Sequence, residues 1–186
     1  MKYVKMLGLL VMAAASLMAF ASSASATITS PAGTAYTEEI HATLATPNSA
    51  LLRAGIEDTC GESTVAGKVE TNNTEHAKGK ITKLTFGDCT KTTHVLTLGE
   101  LTIAAGGTVT AFGTEVTVFD LGVTCVYGGG TGTDLGVLKG GTPAVLEVST
   151  TKLQRISGNT FLCAKEGTWT GKYTVTTPNT LLVDET

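Results

Sequence analysis

Beyond residue 26, no apolar stripe at the i, i+3, i+4, i+7 spacing of a helix survives in this chain. What replaces it is alternation. Tyr36, Ile40, Ala42 and Leu44 share one face of a strand, and Thr37, Glu39, His41 and Thr43 share the other. Residues 168–176 repeat the pattern, with Trp169, Gly171, Tyr173 and Val175 opposite four threonines and a lysine. Thr suits such segments because its branched Cβ fits a pleated surface. Gly, Pro and Asn punctuate the rest, with 22 glycines in 186 residues.

The most informative stretch is residues 123–141. A cysteine sits in a short strand, a glycine-rich turn follows, and a second strand returns. Residues 94–98 and 100–105 read as one strand broken by a bulge at Gly99. Residues 107–111 and 114–119 read as a hairpin around Phe112-Gly113. The full count is about ten to twelve short strands. That spacing predicts an all-β fold, an antiparallel β-sandwich or jelly roll.

The first 26 residues stand apart. Lys2 and Lys5 precede an apolar run over residues 6–20, and Ala24-Ser25-Ala26 forms a small-x-small cleavage site. These are the three parts of an export signal, too short for a membrane anchor. Cleavage after Ala26 leaves residues 27–186 as a single secreted domain. The whole chain carries a formal net charge of −3, and loss of the two lysines makes it more acidic. An acidic chain without a basic run excludes nucleic acid as an expected partner, and membrane once the signal is gone.

All four cysteines, Cys60, Cys89, Cys125 and Cys163, follow the signal. In an exported chain an even number reads as disulfides. Their spacing lacks the close C-x2–4-C pairs of a zinc site. Three connectivities are open. A weak internal echo favours Cys60–Cys89 with Cys125–Cys163: Thr59-Cys60 matches Thr124-Cys125, and Lys-Leu precedes each second cysteine at 83–84 and 152–153.

Catalytic and cofactor patterns are not met. His41, His76 and His94 lack ligand spacing, and Gly61-Glu62-Ser63-Thr64-Val65 lacks the closing glycine of a nucleophile elbow. The turn Gly129-Gly130-Thr131-Gly132-Thr133-Asp134 begins like a calcium-binding nonapeptide, but its bulky position falls on Gly136 and only one copy exists. Glu38-Glu39 and Glu57-Asp58 are adjacent carboxylates that face opposite ways on a strand. No cofactor and no enzyme activity is expected. Trp169 and Tyr173 lie on one strand face. Exposed, they would make a sugar-stacking platform; buried, they would be core packing.

Six segments carry a resemblance: residues 60–68, CGESTVAGK; 79–89, GKITKLTFGDC; 113–118, GTEVTV; 124–125, TC; 132–136, GTDLG; and 169–173, WTGKY. On these the chain resembles a group of small secreted, disulfide-containing all-β proteins of soil Actinobacteria. The resemblance implies export and the fold class, and brings no catalytic residues with it. The expected function is therefore a structural or interaction role at the cell surface or in the extracellular matrix. Partners would be the protein itself or other surface components. The alternative is an extracellular carbohydrate-binding module that takes a glycan on Trp169 and Tyr173.

Overall fold

The computed structural model describes residues 26–31 and 33–184. The export signal assigned to residues 1–26 lies, Ala26 apart, outside the described residues. Fourteen strand segments occur among them. In order these are β1 (Ile28–Thr29), β2 (Glu39–Leu44), β3 (Ala50–Arg53), β4 (Glu57–Asn72), β5 (His76–Cys89), β6 (Thr92–Thr97) and β7 (Glu100–Ala104). There follow β8 (Thr108–Phe112), β9 (Glu115–Asp120), β10 (Val123–Gly128), β11 (Thr133–Lys139), β12 (Val145–Gly158), β13 (Glu166–Thr177) and β14 (Leu182–Val183).

Eight of these segments lie end to end as four long, interrupted strands. β2 and β3 both run antiparallel to β4, opposite its residues 64–68 and 57–60. β6 with β7 faces β9 with β8 from Thr92↔Phe119 to Ile103↔Val109, with one register shift between Val95 and Thr97. β10 and β11 lie one after the other along β12. With β4, β5, β12 and β13 this makes eight long strands. Each pairs with its neighbour in sequence, and β13 pairs back to β2 and β3. The result is a closed antiparallel barrel.

The all-β, antiparallel expectation holds, but the two packed sheets of a sandwich or jelly roll are replaced by one closed sheet. Every connection is local and the last strand returns to the first, so nothing crosses between layers. Two local expectations change with it. β8 and β9 continue in one direction through Gly113 and do not fold back as a hairpin. The strand after the glycine-rich turn at 129–132 also continues along β12 instead of returning. Gly99 is a break within one long strand, as expected. It takes φ +69°, and a Cβ there would run into the Phe112 carbonyl oxygen.

Alternation sends apolar side chains inward. Ala42, Val69, Ala77, Val109, Ala111, Leu138, Leu146, Val148, Tyr173 and Val175 form one buried cluster. Ile56, Val118, Tyr127 and Leu153 form a second together with Cys125 and Cys163. The outer face carries charge, including the pairs Lys68–Glu38, Lys80–Glu70, Lys78–Glu100 and Lys139–Glu147. This is the reverse of a lipid-facing barrel. Such solvent-exposed pairs add little to stability.

The two ends are closed differently. At one, β1 and β14 pair, Ile28 and Leu181 are wholly buried, and backbone bonds tie Thr27 to Asn73 and Gly106 to Asp184. At the other, the disulfides are Cys60–Cys89 and Cys125–Cys163, the pairing that the echo favours. They close loops spanning 29 and 38 positions, worth about 3.5–4 kcal/mol each on the chain-entropy model. Two disulfides fit an oxidising, non-cytoplasmic compartment. Among the described residues no helix is long and apolar enough to cross a membrane.

Candidate functional site

One seam of the barrel is incomplete. β5 ladders with β7 over residues 76–80 only, and the Ile81 amide then donates to the Gly99 carbonyl at 3.1 Å. From Thr82 to Cys89, β5 has β4 on one side and no laddered strand on the other. β6 pairs with β9 on one side and has no ladder on the other. The two strands leave their shared turn at Thr90-Lys91, part, and rejoin at Ile81 and Gly99. Between them the wall has two free backbone edges.

The turn that heads this gap is anchored from within. Asp58 on β4 is 2% exposed. Its Oδ1 accepts from the Thr90 hydroxyl at 3.0 Å and from the Lys91 amide at 2.9 Å, and its Oδ2 accepts from the Thr93 hydroxyl. The Lys91 ammonium reaches Asp120 at the end of β9, 3.0 Å away. One carboxylate thus ties the β5–β6 turn to the barrel floor, and Lys91 ties it to the next strand.

Behind the gap the interior is hydrocarbon. Leu84 and Phe86 of β5 and Thr93 of β6 line a cavity together with Leu52, Val116 and Trp169. Trp169 meets Phe86 edge-on at 5.9 Å between centroids and meets Tyr173 edge-on at 6.5 Å. Tyr173 is 1% exposed, and its hydroxyl lies 3.0 Å from the Ser63 hydroxyl. Burial pushes the Tyr173 phenol up to about 12, with the Ser63 contact pulling the other way. Tyr127, equally buried, donates to the Ala54 carbonyl at 2.7 Å, and burial raises its phenol too.

The structure therefore brings Trp169 and Tyr173 together, but inside the barrel. They meet edge to face; Tyr173 is buried and Trp169 half-buried. Gly171 lies on the same inward-facing side of β13.

The remaining sequence candidates are dispersed. Asp58, Cys60 and Cys89 form a metal-like grouping, but both sulfurs are committed to the disulfide. Asp134 accepts from the Thr110 hydroxyl at 2.6 Å, and the Gly129 carbonyl accepts from the Gly132 amide and the Thr133 hydroxyl. That turn borders a shallow polar groove with Ser149, Thr151 and Gln154, which contains no aromatic ring. His41 sits on β2 beside Glu39, His76 opens β5, and His94 is exposed on β6. The Thr82 hydroxyl, ahead of His41, holds the Glu39 carboxyl below its usual range.

Asp58 is the residue whose role sequence reasoning missed. Its signal was present: Ile56, Asp58 and Cys60 alternate onto one face, so a carboxylate stood at an inward position between apolar neighbours.

No family model matches this chain, and no curated protein or solved structure matches it. Function rests on the geometry of the seam and the interior.

Proposed function

We propose that this is a secreted, non-catalytic interaction protein, acting at the cell surface or in the extracellular matrix and associating by strand addition. The observation that supports it is the free edge of β6. The sequence of that strand, Thr92-Thr93-His94-Val95-Leu96-Thr97, contains no Lys, Asp, Glu or Pro, and Leu96 is 58% exposed. Closed barrels abolish edges, and retained edges are ordinarily blunted by charge, proline or cover. A short uncharged edge in an otherwise closed wall offers a row of unpaired amides and carbonyls to an incoming strand. The incoming strand comes from a second copy or from another surface component.

The test is light scattering on size-exclusion peaks of oxidised residues 27–186 over a concentration series. The wild type should grow in mass with concentration, and Leu96→Lys, which puts charge on the edge, should stay monomeric. A wild type that holds monomer mass throughout removes self-association through β6. Equal growth in the Lys variant moves the interface elsewhere.

A further inference from the structure

A barrel of eight strands is just wide enough for side chains to fill, provided they are large. Here many inward positions are small. Ala42, Ala50, Ala77 and Ala111 are all buried at 3% exposure or less, and Gly67, Gly79 and Gly128 stand among them. Two cavities result, each of about 80 Å³. They adjoin, because Val65, Leu101 and Leu146 line both.

The polar groups nearby are already occupied. The Tyr127 and Tyr173 hydroxyls are bonded to Ala54 and Ser63, the Thr114 hydroxyl donates to the Leu98 carbonyl, and Asp58 accepts three donors. Among the described residues no buried side-chain nitrogen or oxygen lacks a partner. Water in a cavity needs two to four polar partners, whereas a dry apolar cavity of roughly 150 Å³ takes up benzene. The two lobes together reach that size.

From these observations we infer that the barrel interior is a binding site for a small, uncharged, apolar molecule, of the bulk of a single aromatic ring or a short hydrocarbon chain. It enters through the β5–β6 gap. Leu84 and Phe86 line the cavity from one side of that gap and Thr93 from the other, so the missing ladder lies over the void. A charged or strongly hydrogen-bonding ligand is selected against, since no free partner waits for it and its desolvation goes uncompensated. The bound molecule would lie near Trp169, the chain's single tryptophan.

That tryptophan supplies the readout. Oxidised residues 27–186 are titrated with benzene, and with phenylacetate as the charged counterpart, while Trp169 emission and the melting temperature are followed. Benzene should change the emission saturably and raise the melting temperature with concentration, as binding to the native state alone requires. Phenylacetate should do neither. Ala111→Leu fills the first cavity and should abolish the benzene response. Should that variant not fold, Leu101→Ala enlarges both lobes and should bind benzene about tenfold more tightly. An unchanged emission and melting temperature in wild type near benzene saturation overturns the inference. So does a response that Ala111→Leu leaves intact, or an affinity unmoved by Leu101→Ala. Leu96→Lys, which tests the edge, should leave benzene uptake unaltered, so the two readings fail separately.

Discussion

Replacing Asp58 tests whether the head of the β5–β6 gap is held by one carboxylate. Asp58→Ala removes the acceptor of three donors, from Thr90, Lys91 and Thr93. Thr90 is exposed and turns to water at little cost. The Lys91 amide and Thr93 hydroxyl are partly buried, and each donor left unmatched costs about 1–3 kcal/mol. Deletion also returns the penalty of holding a carboxylate out of water. The balance is a loss of about 3 kcal/mol, a large share of an ordinary domain's 5–15. Asp58→Asn behaves differently. Its carbonyl oxygen keeps the Oδ1 position for Thr90 and Lys91. Its amide then faces the Thr93 hydroxyl, which rotates to accept instead of donate. The expected cost is about 1 kcal/mol, the loss of charge assistance. Urea unfolding midpoints give the ordering, and amide exchange gives its location. Lys91 should lose protection in Asp58→Ala while the β12–β13 ladder keeps it. Equal costs for Asn and Ala, or an unchanged Lys91 amide, would refute the anchoring argument.

Two further outcomes follow from the core and the seam. The Tyr173 phenol is raised from 10 to about 12 in the fold, so its contribution to stability is complete below pH 10 and is lost as pH rises through 12. A shift of that size corresponds to roughly 3 kcal/mol; unfolding free energies between pH 10 and 12 should fall more steeply in wild type than in Tyr173→Phe, and parallel slopes would count against the buried phenol. At Gly99, an alanine meets both the positive φ and the Phe112 carbonyl. Gly99→Ala should cost at least about 1–3 kcal/mol in thermal or urea unfolding, and a neutral result would mean that the seam does not rejoin there as described.

The class of fold was legible from local chemistry, because alternation is a property of neighbours. The inward set Trp169, Gly171, Tyr173 and Val175 of β13 stood in the sequence as it stands in the barrel. Closure was not legible. The pairing of β13 with β2 joins Tyr173 to Leu44 and Val175 to Ala42, more than a hundred residues apart, and no local signal encodes it. The glycines misled for a related reason. At Gly113 and over 129–132 they read as hairpin turns, yet the same permissive backbone serves equally to kink a strand that continues. Which use prevails depends on whether a partner strand is present to carry the ladder across. β9 continues β8 because β6 and β10 flank it on both sides.

That same dependence explains the seam. β5 and β6 are joined by a tight turn and would ordinarily zip together. β6 instead keeps its ladder with β9, while Asp58 and Asp120 hold the turn residue Lys91 from both sides. The open edge and the apolar void behind it are therefore two faces of one feature. The edge exists because β5 and β6 are held apart there. The void is reached at that point because the inward residues are too small to fill what the strands enclose. A change that let β5 and β6 zip shut would remove the docking edge and seal the cavity together, whereas filling the cavity would leave the edge intact. Leu96→Lys and Ala111→Leu separate the two, and Asp58 is the residue through which both would change at once.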